Sequence, residues 1–244
     1  MTESREAKAG DSDELRRTGV NQEVLMNAFY GKTAVITGGA HGIGKAIADA
    51  FRREGASVSI IDRQNGDWFV GDVSDQKTLE QFAESVVSQA GHADYLINNA
   101  LPVMKGIDEC SWDEFSYALA VGVTAPFYLT KLFLPYFAPG ASVINIASSR
   151  DRMSQPQTES YTAAKGGIAA LTHAMAISLA GRVRVNSISP AGLIQPAAGL
   201  QERMHCSSLQ DASENRKTLQ KWRSSSALRR RDLSPEKTYA LTAE

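Results

Sequence analysis

Thr37-Gly-Gly-Ala-His-Gly-Ile-Gly44 decides the fold. It follows a short apolar run, Thr33-Ala-Val-Ile-Thr37, and opens a helical segment that runs to about Arg53. A strand, a glycine-rich turn and a helix, in that order, start a βαβ unit of the kind that cradles a dinucleotide. Gly38 permits the tight turn, Gly42 lets backbone approach a pyrophosphate, and Gly44 allows the helix to pack closely on the sheet. The helix N-terminus at His41, Gly42, Ile43 and Gly44 offers free N–H groups and a positive dipole end to phosphates.

A second strand, Ser57-Val-Ser-Ile-Ile61, ends at Asp62, 18 residues after Gly44. A carboxylate there accepts hydrogen bonds from both adenosine ribose hydroxyls and repels a 2′-phosphate. Arg63 works the other way, because a guanidinium tolerates the phosphate. The balance favours NAD over NADP.

Further outward the same alternation continues. Strands are expected at Trp68-Phe-Val70, Tyr95-Leu-Ile97, Ser142-Val-Ile-Asn-Ile146 and Val183-Arg-Val-Asn-Ser-Ile188. Gln76–Ala90 has helical periodicity, with Leu79, Phe82, Ala83, Val86 and Val87 on one face. Long helices are expected over Trp112–Phe137 and Ser160–Ala180. Alternating strands and helices imply right-handed crossovers and one α/β domain, a Rossmann-like doubly wound parallel sheet.

A second chemical signal is Tyr161-Thr-Ala-Ala-Lys165. Residues four apart on a helix share a face, so the phenol and the ammonium project together. A cation beside a phenol stabilises phenolate and lowers its pKa from about 10 toward working pH, as acid–base chemistry prefers. Ser148 lies 13 residues earlier, at the end of the fifth strand, where its hydroxyl can hold a carbonyl oxygen.

These motifs resemble the short-chain dehydrogenase/reductase superfamily, in its simple oxidoreductase form with T-G-x-x-x-G-x-G spacing. The resemblance covers roughly Tyr30 to Pro190 and includes further segments. Asp72-Val73 is similar to the pair beside adenine, and Asn98-Asn99-Ala100 to the segment lining the cofactor. Asn145-Ile-Ala-Ser148 and Val185-Asn-Ser-Ile-Ser-Pro190 complete the match. The resemblance implies that Tyr161 exchanges a proton with the substrate oxygen and that Ser148 orients that oxygen. It also implies that Lys165 lowers the tyrosine pKa and binds the nicotinamide ribose. The implied partner is a small alcohol or carbonyl substrate. The implied assembly is a homo-oligomer, here a dimer paired through the two long helices. No metal site is expected.

Within the match two residues depart from the family. Leu101 stands where the family usually has glycine, and Gly122 where it usually has asparagine. That asparagine helps hold a water relaying protons to the lysine, so the relay is the part this sequence does not reproduce.

After Pro190 the resemblance stops. Leu, Ile, Val and Phe make up 8 of the 54 residues in Ala191–Glu244, below the roughly 20% needed to offset ordering entropy. The segment is therefore expected to be weakly ordered. A divergent C-terminus is one explanation; a frameshift is the other, and the genetic code favours it. Joining the last base of each codon to the first two of the next, synonymous codons for Asp232–Glu244 can read Phe-Ile-Thr-Gly-Glu-Asn-Ile-Cys-Ile-Asp-Gly-Gly, which resembles the family's terminal strand. Ala212–Leu219 can read Arg-Val-Gly-Lys-Pro-Glu-Asp-Ile, and the codons from Pro190 can read Gly-Trp-Ile-Asp-Thr. One nucleotide lost beside the Pro190 codon explains all three.

At the other end, Met1–Leu25 is polar and carries no aromatic residue. Gln22-Glu-Val24 can encode a purine-rich ribosome-binding sequence ahead of Met26, so the first 25 residues read either as a translated leader or as a native disordered tail, with 26–190 the catalytic domain. The net charge of −1 calls for no nucleic-acid or acidic-membrane partner, and Arg229-Arg-Arg231 is too short a basic cluster to change that. No run approaches the roughly 18 apolar residues of a membrane span. Without a signal peptide, Cys110 and Cys206 read as free thiols in a reducing cytoplasm.

Overall fold

The computed structural model describes residues 28–190. The expected leader Met1–Leu25, the tail expected to be weakly ordered from Ala191, and Cys206 lie outside the described residues. Four of the six strands were expected nearly where they stand, β1 (Thr33–Thr37), β2 (Ser57–Asp62), β4 (Ala93–Asn98) and β6 (Arg184–Ile188), while β5 (Phe137–Ile146) begins five residues before the expected Ser142. β3 is shorter, only Phe69–Val70. The helices are α1 (Gly42–Arg53), α2 (Gln76–Ala90), α3 (Trp112–Leu119), α4 (Ala125–Phe133) and α5 (Glu159–Ser178).

All six strands join one parallel sheet in the order β3-β2-β1-β4-β5-β6. Every residue of β1 is buried, as expected of a central strand with both faces covered. Alternate side chains feed two cores. Val35, Leu96, Val143 and Val185 pack with Phe82, Leu129, Phe133 and Met175. Ala34, Ile36, Ile97 and Ile144 pack with Ile47 and Phe51 of α1 on the other side. Chain order reverses between β1 and β4, where Thr37 and Asn98 are register partners. Such a switch point opens a crevice at the carboxyl ends of the strands.

The expected long helix over Trp112–Phe137 is interrupted. A π turn, Ala120–Thr124, separates α3 from α4, and a 3₁₀ turn, Leu134–Tyr136, ends the segment. The cause is Pro126, which has no N–H for a helical bond to the Gly122 carbonyl. The ladder widens, and Ala125 donates to the Ala120 carbonyl instead. The helical segment Trp112–Tyr136 has 25 residues and contains an 18-residue stretch of mean hydropathy 1.4, which meets the length and polarity of a membrane span. That corrects the expectation that no stretch comes close. Val121, Ala125, Leu129 and Phe133 of this segment are in the core, as in a buried helix of a globular domain.

Candidate active site

β1 delivers the glycine turn to the switch point. Gly38 has φ of 66°, a left-handed conformation that favours glycine. A Cβ on Gly44 would stand 2.1 Å from the Gly38 carbonyl oxygen, so the first turn of α1 closes on the loop only without a side chain. Asn99 fastens the loop from the far side: its Nδ2 donates to the carbonyls of Thr37 and Gly38 at 3.1 and 2.8 Å. The Thr37 hydroxyl oxygen accepts from the backbone N–H of both Asn99 and Ala100 at 3.0 Å.

Asp62 is buried beside this turn. One carboxylate oxygen accepts from Ala40 N–H and the other from Gln64 N–H, each at 3.0 Å. A carboxylate has about four lone-pair sites, so Asp62 holds the loop and keeps acceptors for a ribose. A cleft of about 900 Å³ opens here, gathering Gly38, His41, Asp62, Arg63, Asp72, Val73 and Ala100. Gly42, Ile43 and Gly44 form the adjoining start of α1, where the Ile43 side chain is exposed. Asn99 acts on the turn rather than lining the cleft.

Arg63 and Asp72 meet across the cleft through Tyr117 of α3. Arg63 Nη1 donates to the Tyr117 hydroxyl at 2.9 Å, and that hydroxyl donates to Asp72 Oδ2 at 2.9 Å. Burial raises the Asp72 carboxyl, but hydrogen bonds from Ser74 and Tyr117 and the Arg63 charge outweigh it and hold it below its ordinary range. The Tyr117 phenol is pushed up by burial and by its bond to Asp72.

The second half of the site lies at the carboxyl end of β5. Ser148 is buried two residues past the strand and caps the 3₁₀ turn Ser149–Asp151, accepting from Arg150 N–H at 3.2 Å. α5 packs against that turn and against the π turn. Tyr161, half-buried, and Lys165, buried, occupy its first turns. Lys165 Nζ sits 5.6 Å from the Tyr161 ring centroid and donates to the Ile146 carbonyl at 2.5 Å. Burial pushes its ammonium down to about 8.

Beside Lys165 is a cavity of about 10 Å³, bordered by Thr37, Asn98, Gly122, Ile146 and Ile168, the size that admits roughly one water. Asn98 Oδ1 is buried there without a partner among the described residues. Its Nδ2 donates to Asn145, Asn145 donates to Thr172, and Thr172 donates to the Ile168 carbonyl, at 2.8, 2.8 and 2.7 Å. This buried chain ties β4, β5 and α5 together. Gly122 has no room for a side chain: a Cβ would meet the Ala164 Cβ at 2.7 Å.

The glycine turn, Asp62, Arg63, Asp72, Ser148, Tyr161 and Lys165 were singled out from the sequence; Tyr117, Thr172 and the loop partners Gln64 and Ser74 were not. Tyr117 is 45 residues from Asp72 and 54 from Arg63, and nothing local marks it. Among the described residues no group of three or more His, Cys, Asp and Glu is placed to hold a metal. Cys110 is a free thiol.

Known proteins are similar to this chain in sequence and in fold. The family described as Enoyl-(Acyl carrier protein) reductase matches residues 38–238, continuing past Pro190. An uncharacterized oxidoreductase of Bacillus subtilis, YxbG, is 36% identical over 217 residues, covering 81% of this chain and 78% of that protein. The L-fucose dehydrogenase of Mus musculus is 34% identical over 187 residues, covering 70% and 68%. A solved apo SCOR enzyme from Clostridium thermocellum superposes with a TM-score of 0.62 at 39% identity, over 66% of this chain and 72% of that one.

Proposed function

The chain belongs to the short-chain dehydrogenase/reductase superfamily, and on that premise we propose that it interconverts a secondary alcohol and a carbonyl with NAD(H), Tyr161 being the general acid and base. One observation carries the proposal. Tyr161 and the buried Lys165 are held one helical turn apart at the end of β5, with Ser148 on the same strand end.

The residues present fit a dinucleotide. The close approach of Gly44 to Gly38 leaves backbone, not side chains, facing a pyrophosphate. Asp62 retains acceptors for the adenosine ribose, and Asp72 and Val73 border the space for adenine. Lys165 would hold the nicotinamide ribose. When bound, NAD(H) supplies or accepts the hydride at the substrate carbon.

The chain's own residues do the rest. Ser148 Oγ orients the substrate oxygen. The Tyr161 hydroxyl gives a proton to that oxygen in reduction, and its phenolate takes the alcohol proton in oxidation. Lys165, positively charged below about pH 8, stabilises the phenolate left behind. We read the protein as a cytoplasmic enzyme of small molecules, working as a homo-oligomer.

The test is Tyr161→Phe on the purified chain, assayed with NADH against a panel of ketones and with NAD against alcohols and sugars, L-fucose included because of the dehydrogenases similar to this chain. Positioned acid–base groups contribute on the order of 10²–10⁴-fold. A loss below about tenfold removes the role from Tyr161.

The alternative is a cofactor-binding product without turnover, made by a frameshift after Pro190. The coding pattern of Ala191–Glu244 favours it; the family match running to residue 238 favours the intact enzyme. Inserting one nucleotide beside the Pro190 codon separates them. On the frameshift account the repaired chain gains turnover and melts at higher temperature with NADH. If the given chain already turns over substrate and gains as much stability from NADH, there is no frameshift.

A further inference from the structure

Arg63 follows Asp62 at the end of β2, beside the position where a 2′-phosphate would lie. Its guanidinium has two destinations: over the ribose, or across the cleft toward α3. It takes the second. Nη1 donates to the Tyr117 hydroxyl at 2.9 Å, Nε lies 3.5 Å from Asp72 Oδ2, and the guanidinium carbon is 5.9 Å from the Tyr117 ring centroid. Tyr117 in turn donates to that same Asp72 oxygen at 2.9 Å. The three groups form a closed triangle in which one hydroxyl is donor to a carboxylate and acceptor from a guanidinium. Phenylalanine can do neither.

We infer that Tyr117 is a specificity-determining residue: by holding Arg63 against Asp72 it withholds from the adenosine ribose a cation that would otherwise accept a 2′-phosphate. The inference rests on the cleft being the dinucleotide site proposed above. Two features set the preference together. Asp62 repels the phosphate directly, and the Tyr117–Asp72 pair keeps the compensating charge turned away. A 2′-phosphate must compete with Asp72 for Arg63, whereas the free hydroxyls of NAD(H) have no need of it.

The size of the effect follows from exposure. The Arg63 side chain is 69% exposed, and exposed ion pairs contribute little individually. Releasing Arg63 therefore shifts preference roughly two- to tenfold without inverting it, since Asp62 remains.

Calorimetric titration of the full chain with NADH and with NADPH tests this in five forms: wild type, Tyr117→Phe, Tyr117→Met, Arg63→Met and the Tyr117→Phe/Arg63→Met double variant. Tyr117→Phe should improve NADPH affinity relative to NADH by about two- to tenfold. The same change in the Arg63→Met background should leave the ratio where Arg63→Met put it. Tyr117→Met, which lacks both ring and hydroxyl, should move the ratio the same way as Tyr117→Phe, and melting curves confirm that each variant is folded. An unchanged ratio in folded Tyr117→Phe or Tyr117→Met overturns the inference, as does an equal shift with Arg63 absent. Failure of the wild type to bind either dinucleotide overturns the proposed function and this inference together.

Discussion

Lys165 reaches from α5 to the end of β5 and donates to the Ile146 carbonyl at 2.5 Å. That contact fixes the ammonium at the strand end that leads to Ser148, under the ring of Tyr161. The lysine is buried and held by a backbone carbonyl, which keeps it pointed at the site before any ligand arrives.

Burial of Lys165 has a pH signature. Its folded-state value of about 8 lies below the ordinary value of 10.5. Between those limits the unfolded chain holds more protons at this position, so stability rises with pH. Below about pH 8 the full cost of burying the ammonium is present; toward pH 10.5 it is lost. Lys165→Met removes the group. The melting temperature of Lys165→Met minus that of wild type should therefore fall as pH rises from 7.5 to 10. A difference independent of pH would mean that Lys165 is not desolvated. The variant should also bind NADH more weakly.

Gly44 is confined by the Gly38 carbonyl oxygen, which a Cβ would approach to 2.1 Å. Because the obstacle is backbone, Gly44→Ala must displace the turn, at a cost of about 1–3 kcal/mol for overpacking. Thermal melting should show the loss, and NADH should no longer raise the melting temperature. A neutral Gly44→Ala would show the turn to be looser than its geometry.

Gly122 and Ala164 set the spacing between the π turn and α5, since a Cβ on Gly122 would stand 2.7 Å from the Ala164 Cβ. Gly122→Ala should destabilise by about 1–3 kcal/mol. Ala164→Gly alone costs roughly 0.5–1 kcal/mol in a helix. The double variant should be more stable than the sum of the two, because the second change makes room for the first. Strict additivity in denaturant titrations would show that the two positions do not press on each other.

The Asn98–Asn145–Thr172 chain is wholly buried. Asn145→Ala leaves the Asn98 amide and the Thr172 hydroxyl each short of a partner, a loss of about 1–3 kcal/mol per unsatisfied group. A drop in melting temperature at unchanged cofactor preference is the expected outcome. No drop would mean that water replaces the asparagine.

Much of this was legible in the sequence, for identifiable reasons. β1, β2, β4 and β6 are short apolar runs next to glycines or polar turns, and the glycine turn sits where strand meets helix. β5 was not legible over its first five residues. Phe137-Ala-Pro-Gly140 does not look like a strand, and it joins the sheet by pairing Phe137 with Ala93 across a register shift. The long helix was read as continuous because its apolar pattern is continuous; the break comes from one missing N–H, at Pro126. Ser148, Tyr161 and Lys165 were legible because two share a helix face and one ends a strand. Tyr117 was not, because its partners come from β2 and the segment before α2, and only the folded sheet brings them together.

The central claim is that the cleft beside Asp62 is an NAD(H) site serving Tyr161 and Lys165. Isothermal titration of the purified chain with NADH and NADPH tests it most directly. The account predicts saturable binding of NADH, tighter than that of NADPH, and weaker NADH binding in Lys165→Met. No binding of NADH, or NADPH binding as tight or tighter, would contradict it.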